Sequence, residues 1–289
     1  MNQQYDETIF NAPTPVLRFV PTDSLLPHEE HDHQRSAPLI QRVVESGIWL
    51  HPPIVTPLHD GSGRYVVLDG ANRCHVIQHL GYPHILVQIV DYESDQVFLD
   101  RWNHVLTQMP TSTLLERIRA LKHVELRESD LLEAQAELAQ RDALVYLVEL
   151  ATDAVFLAYT DERTIKTRTE RLRDIVNCYK SEAKLDRINT DKLEQVRYMY
   201  PKASTFVAFP RYEPSEILYA AREQVLLPPG ISRHIIHGRA MRLLYPLHHL
   251  ADTKTPLEEK NQDLEEWVQS RIDERAVRFY AESSYVFDD

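Results

Sequence analysis

The sequence predicts a mixed α/β fold of the α+β kind, arranged in two regions, and three observations predict it. A β-branched run, Tyr65-Val66-Val67-Leu68, leads straight through Asp69-Gly70 into an amphipathic helix, with an apolar strand, Ile85 to Val90, close behind. Past Tyr92 the pattern changes to longer helix-like stretches. Further on, two apolar runs, Leu144 to Leu150 and Ala154 to Tyr159, flank Thr152-Asp153 as the arms of a hairpin flank its turn. The pattern change divides the chain into a first domain, 1–110, and a second mixed α/β region, 111–289.

Taken in order, Val16 to Val20 reads as the first strand and Ser36 to Ser46 as a helix with Gly47 available at its C-terminus. Pro53 to Pro57 is a short strand, and Gly61-Ser62-Gly63 turns the chain into the strand Arg64 to Leu68. The helix Ala71 to Leu80 carries Val76, Ile77 and Leu80 on one face and stops at Gly81. These elements make a small α/β unit ending near residue 92. Beyond it, helices are expected at roughly 96–108 and 112–141, then the hairpin, and a charged helix from about 161 to 180. A mixed stretch to about 250 and a terminal helix near 257–280 complete the chain, which has no internal repeat and no low-complexity tract.

Charge and cysteine usage exclude several classes. With 44 acids against 32 bases, the net charge of -12 disfavours nucleic acid and anionic membrane as partners, since no basic face is segregated. The densest basic stretch, Arg163 to Arg173, interleaves with Asp161, Glu162, Glu170 and Asp174 and reads as a solvated helix surface. Cys74 and Cys178 stand far apart and outside any CxxC, against a disulfide framework and structural zinc, and in keeping with a reducing cytoplasm. The polar start Met1 to Glu7 lacks a signal peptide's basic and apolar regions, and no apolar run approaches ~18 residues. The expectation is a cytoplasmic protein without a membrane span.

The segment Asp69 to Arg73 carries phosphate-site chemistry. Main-chain N–H groups at a helix N-terminus attract anions, Gly70 lets a ligand approach the backbone, and Arg73 can fork onto phosphate oxygens. Asp69, at the strand's carboxyl end, is a candidate for a divalent cation. The plainer alternative is a strand-to-helix turn with an N-capping Asp and a solvated Arg.

Several segments together resemble the ParB/sulfiredoxin-like nucleotide-binding fold: Leu25-Leu26-Pro27-His28-Glu29, Pro52-Pro53-Ile54-Val55, Val67 to Arg73, and Leu80-Gly81-Tyr82. Within that superfamily the chain is most similar to the free L-serine kinases, including the type associated with siderophore biosynthesis. Leu227-Pro228-Pro229-Gly230-Ile231-Ser232-Arg233-His234, followed by Gly238-Arg239-Ala240, resembles the threonine/serine-arginine-histidine segment of those kinases. Sulfiredoxin itself needs a cysteine just before its His-Arg, whereas Ala71 and Asn72 precede Arg73 here and Cys74 follows it. A ParB partition protein would add a basic DNA-binding module, and this chain is acidic.

The resemblance implies phosphate transfer from ATP or ADP, with Mg²⁺, to free L-serine. It implies Glu29 as the base that takes the serine hydroxyl proton, with Glu30 beside it as the competing choice. Asp69 would hold Mg²⁺, and Gly70, Ala71, Asn72 and Arg73 the nucleotide phosphates. Trp102, Asn103 and His104 resemble an acceptor-side segment, with a core tryptophan as the ordinary alternative. Arg233 would fork onto the serine carboxylate, with Ser232 and His234 adding hydrogen bonds. Cys74 and His75 read as packing or helix-face groups. The run His28 to His33 lacks the spacing of a zinc site. The competing reading from another class is a nucleotide- or effector-responsive ParB-like regulator that binds DNA or a partner protein. A third reading is an interaction protein with a dead pocket. Donor choice, oligomeric state and the group that holds the serine ammonium are open at this point.

Overall fold

The structure is a computed structural model that describes residues 14–280, so the polar start Met1 to Glu7 lies outside the described residues. Two compact units interleave along the chain. Among the described residues, the first comprises 14–25, His31–Val97 and 236–280; the second comprises Leu26–Glu30 and Phe98–Ile235.

In the first unit the strand Val16–Pro21 pairs antiparallel with His84–Ile89. That strand in turn runs parallel to Ile54–Pro57, which pairs antiparallel with Tyr65–Asp69. Helices His33–Ser46 and Ala71–His79 accompany the sheet. Gly47, which follows the first of these helices, has φ 63°, the left-handed geometry that lets a helix stop without a Cβ clash. The core gathers Phe19, Trp49, Val55, Val67, Val76, Ile77, Leu86 and Tyr245. Trp49 is fully enclosed, and its indole N–H donates to the Leu86 carbonyl at 2.9 Å, so burial leaves no orphaned donor.

A continuous second region from 111 to 289 is expected from the sequence, whereas residues 236–280 belong with the first unit. The reason is local chemistry on the terminal helix Leu257–Asp273. Asn261 accepts from the Phe19 N–H at 2.8 Å and donates to the Phe19 carbonyl at 3.1 Å. One side chain thus satisfies a backbone pair on the edge strand. Leu264 is buried in the same core.

The second unit is a six-stranded, wholly antiparallel sheet. Its order is Lys184–Ile188, Asn103–Thr107, Thr205–Ala208, Ala143–Glu149, Val155–Tyr159, Glu125–Ser129. The hairpin appears as anticipated, with Asp153 at φ 63° in its turn. The helix expected at 96–108 is instead two strands, Val97–Arg101 and Asn103–Thr107. Fully buried Val105 and Leu106 gain partners on strands 80 to 100 positions away, an override that no local pattern announces. The single helix expected at 112–141 is a helix, Thr111–Arg119, then the strand Glu125–Ser129, then a helix, Leu131–Ala139. His123, at φ 62°, makes the break without glycine or proline. Asp130 then starts the next helix by accepting from the Glu133 N–H at 2.9 Å.

Candidate active site

On the first unit, the Tyr65–Asp69 strand ends at Asp69, and Gly70 opens the helix Ala71–His79 at φ 102°. A side chain there would collide with its surroundings: a Cβ on Gly70 would lie 2.8 Å from Arg73 Nη2 and 3.0 Å from Pro53 Cβ. Arg73 reaches back one turn and donates from Nη2 to Asp69 Oδ2 at 2.7 Å. Arg239 donates to the same oxygen. Burial lowers the pKa of both guanidiniums. Arginine starts so high that both remain cations at neutral pH. Two partly desolvated cations therefore share one carboxylate, and the group carries a net positive charge beside a helix N-terminus, an arrangement suited to an anion.

In the sequence Arg239 stands out only within the Gly238-Arg239-Ala240 segment, and nothing local shows how it is held. Gln88, buried on the strand His84–Ile89, spends its whole amide on the loop that carries it. Its Nε2 donates to the Gly238 carbonyl at 3.1 Å and its Oε1 accepts from the Ala240 N–H at 2.8 Å. The signal was present as a lone amide inside an otherwise apolar strand, which burial tolerates only when it is paired. Asn72 accepts from the Asp32 N–H at 2.8 Å, anchoring the preceding loop, and Ala71 is the first residue of the helix, whose start no side chain caps. Burial pushes the Cys74 thiol up to about 12, so it is a packing group; His75 stacks on His31 with ring centres 3.7 Å apart.

This arrangement does not fit a Mg²⁺ ion on Asp69. Its Oδ2 already accepts from two guanidiniums, which would compete with and repel a dication. Among the described residues no group of three or more His, Cys, Asp or Glu is placed to hold a metal.

On the second unit, the His28-Glu29-Glu30 segment is laid beside Leu227. The Leu227 N–H donates to the His28 carbonyl at 2.8 Å and the Glu30 N–H to the Leu227 carbonyl at 2.9 Å. This bridge brings Glu29 to the turn after Leu227. Glu29 Oε2 accepts from the Gly230 N–H at 3.0 Å and from Ser232 Oγ at 3.3 Å, and Ser232 Oγ lies 2.7 Å from His28 Nε2. Glu30 points elsewhere, into an ion pair with Arg173 at 3.0 Å and Lys180 at 3.5 Å. The two adjacent acids are therefore chemically distinct: Glu29 sits in a hydrogen-bonded cluster, and Glu30 is tied to two cations.

Arg233 lies over the Trp102 ring, its guanidinium carbon 4.6 Å from the ring centre, with Nη1 3.5 Å from Asp100 Oδ2. The stack fixes the plane of the fork, and the Asp100 carboxylate faces its Nη1 side. His234 meets His28 edge-on with ring centres 5.4 Å apart. Asn103 is placed differently from expectation. It is fully buried, donates to Asp191 Oδ1 at 2.7 Å and accepts from the Phe209 N–H at 3.2 Å, so it is a core group out of reach of a solute.

No family model matches the chain. It is 38% identical over 88 residues to an ATP-dependent L-serine kinase of Staphylothermus marinus, a match covering 30% of this chain and 34% of that protein. The chain thus spans about a third of the length of that curated relative. Against the ATP-dependent L-serine kinase SbnI of Staphylococcus aureus it is 23% identical over 276 residues, covering 94% of this chain and 97% of the other. A solved free serine kinase in complex with AMP superposes with a TM-score of 0.70 at 18% identity, covering 83% of this chain and 97% of that one. The fold is that of the free serine kinases. In sequence, the chain is similar to ATP-dependent L-serine kinases.

Proposed function

We propose that the protein is a cytoplasmic kinase that transfers a phosphate from ATP or ADP to free L-serine, giving O-phospho-L-serine. The observation that carries this reading is the Glu29 carboxylate, held by the Gly230 N–H and the Ser232 hydroxyl within the segment that also presents Arg233. In the reaction Glu29 takes the proton of the serine hydroxyl as that oxygen bonds to the terminal phosphorus. The bond from phosphorus to the bridging oxygen breaks, and ADP or AMP leaves. Arg233 grips the serine carboxylate from its seat on Trp102, with Ser232 and His234 beside it.

The donor's phosphates fall to Arg73 and Arg239, with Gly70 and the main-chain N–H groups of Ala71 and Asn72. An arriving phosphate accepts from other N–H groups of the two guanidiniums, while Asp69 keeps both arginines in place. The loop carrying Glu29 runs on through Glu30 and His31 to Asp32, whose N–H is held by Asn72. All of these groups contact features common to ATP and ADP, which keeps both donors in the proposal. Mg²⁺ has no residue role here, and the assay treats it as a variable.

The test is to incubate purified protein with serine and each nucleotide, with and without Mg²⁺, and to identify products by mass spectrometry. O-phosphoserine with a stoichiometric nucleotide product supports the reading. Nucleotide binding without phosphoserine would instead favour the ligand-responsive regulator, and no nucleotide binding the dead pocket.

A further inference from the structure

Resting on the kinase reading above, we propose that His104 is a positioning residue for Glu29, acting through the Gly230 turn, with Tyr179 setting its tautomer. His104 is fully buried on the strand Asn103–Thr107. Its Nε2 lies 3.1 Å from the Gly230 carbonyl and its Nδ1 2.7 Å from the Tyr179 hydroxyl, itself fully buried. A carbonyl only accepts, so Nε2 must carry the proton, and Nδ1 must then accept from Tyr179. Burial drives the imidazole pKa down to about 3, which keeps the ring neutral and the tautomer single across the physiological range.

Gly230 is held on both sides of its Cα. Its carbonyl is fixed by His104, while its N–H is the donor to Glu29 Oε2 at 3.0 Å. The carbonyl of the same peptide as that N–H, on Pro229, faces Arg187 Nη2 at 3.5 Å. Next along the chain, the Ile231 carbonyl accepts from the Trp102 N–H at 2.9 Å. The turn therefore cannot rotate without breaking its bond to the fully buried His104 and those to Glu29 and Trp102. It also needs glycine: φ is 73°, and a Cβ would fall 2.0 Å from the Arg187 guanidinium carbon. A base is effective only when its lone pair is aimed at the proton it takes, and an error of ~1 Å costs about 10²-fold. His104 touches no reacting atom. It fixes the turn that aims the one that does.

Three measurements test this. In the wild-type protein, nitrogen NMR of His104 should report the Nε2–H tautomer with no titration at neutral pH; an Nδ1–H ring would overturn the inference outright. His104→Phe should lower kcat roughly tenfold or more with serine and nucleotide KM within about twofold, whereas His104→Gln, which keeps a donor at comparable reach, should recover most of the loss. Equal kcat in wild type and His104→Phe, or equal losses in both variants, would overturn it. If His104→Phe does not fold, Tyr179→Phe replaces it, with the expected result a smaller kcat loss at unchanged KM and the overturning result an unchanged kcat. Exchange of the Gly230 amide should accelerate in the Phe variant and not in the Gln variant; unaccelerated exchange would also refute the inference. The tautomer and exchange readings require no turnover. Absence of phosphoserine from the wild type would therefore reject the kinase reading, while the tautomer and exchange readings still decide whether His104 fixes the Gly230 turn.

Discussion

Glu29 and Glu30 differ by one position and by everything around them. Glu29 faces an N–H and a hydroxyl, while Glu30 faces Arg173 and Lys180. Glu29→Gln should therefore cut kcat by roughly 10² to 10⁴-fold with nucleotide affinity near wild type, and Glu30→Gln should cost far less. Steady-state kinetics with a nucleotide titration checks both, and the reverse order would move the base to Glu30. The anion cradle makes a different claim. Arg239→Ala should weaken nucleotide binding by roughly tenfold, the worth of one charge-assisted contact, with serine KM unaltered. Calorimetric titration reads this directly, and unchanged affinity would remove Arg239 from the phosphate site. His104 adds a pH signature. Its folded pKa of about 3 lies below the ordinary value of 6.5. The unfolded chain thus takes up a proton over an interval in which the folded chain does not, and the ring's contribution to stability is complete above about pH 6.5 and lost as the pH falls towards about 3. Denaturant unfolding at about pH 7 and about pH 5 should show that loss, and His104→Gln should lose less.

Elements were legible where one sequence signal settled the outcome and illegible where partners far along the chain did. The strand Tyr65–Asp69, the glycine behind it and the helix Ala71–His79 were legible because strand propensity, the φ > 0 position and helix periodicity agree within a dozen residues. The strand Glu125–Ser129 was not: its Glu-Leu-Arg-Glu-Ser composition suits a helix. It is a strand because it is the edge of a sheet whose neighbour, Val155–Tyr159, lies about 30 residues on, and charge is what an edge tolerates. Arg239 was missed as a site residue for a related reason. The Gly238–Ala240 loop carries no local signature; Gln88, 150 positions earlier, defines it. Replacing Gln88 by Leu strands the Gly238 carbonyl and the Ala240 N–H, at a cost of about 1–3 kcal/mol each if both stay buried. The expected outcome is a loop that detaches, weakened nucleotide binding as in Arg239→Ala, and normal serine KM. Retained nucleotide affinity would mean that the loop holds Arg239 without Gln88.

At the scale of the molecule, the first unit is closed by the helix Leu257–Asp273. The terminal helix contributes Leu264 to the buried core, packs Trp267 edge-on against Tyr245 at 5.1 Å, and satisfies the Phe19 backbone through Asn261. Lys260, also buried, donates to the His249 carbonyl at 2.7 Å and the Asp252 carbonyl at 2.5 Å. Its ammonium thus pins the helix to the segment just before it. Sequence periodicity located this helix but not its destination, since a pattern reports which face is apolar and not which core receives it. Burying a leucine of this kind is worth about 1.5–3 kcal/mol, and the helix also hides backbone groups of an edge strand. Ending the chain after Thr255 should therefore destabilise one unit selectively. Hydrogen exchange should show amides of Val16–Pro21 and His84–Ile89 losing protection while those of Ala143–Glu149 keep theirs. Serine phosphorylation should be lost, because Arg73, Arg239 and Asp69 all belong to the loosened unit. Equal loss of protection in both sheets would show that the chain unfolds as one cooperative body, and undiminished protection of Val16–Pro21 would show that the helix is dispensable to the unit it covers.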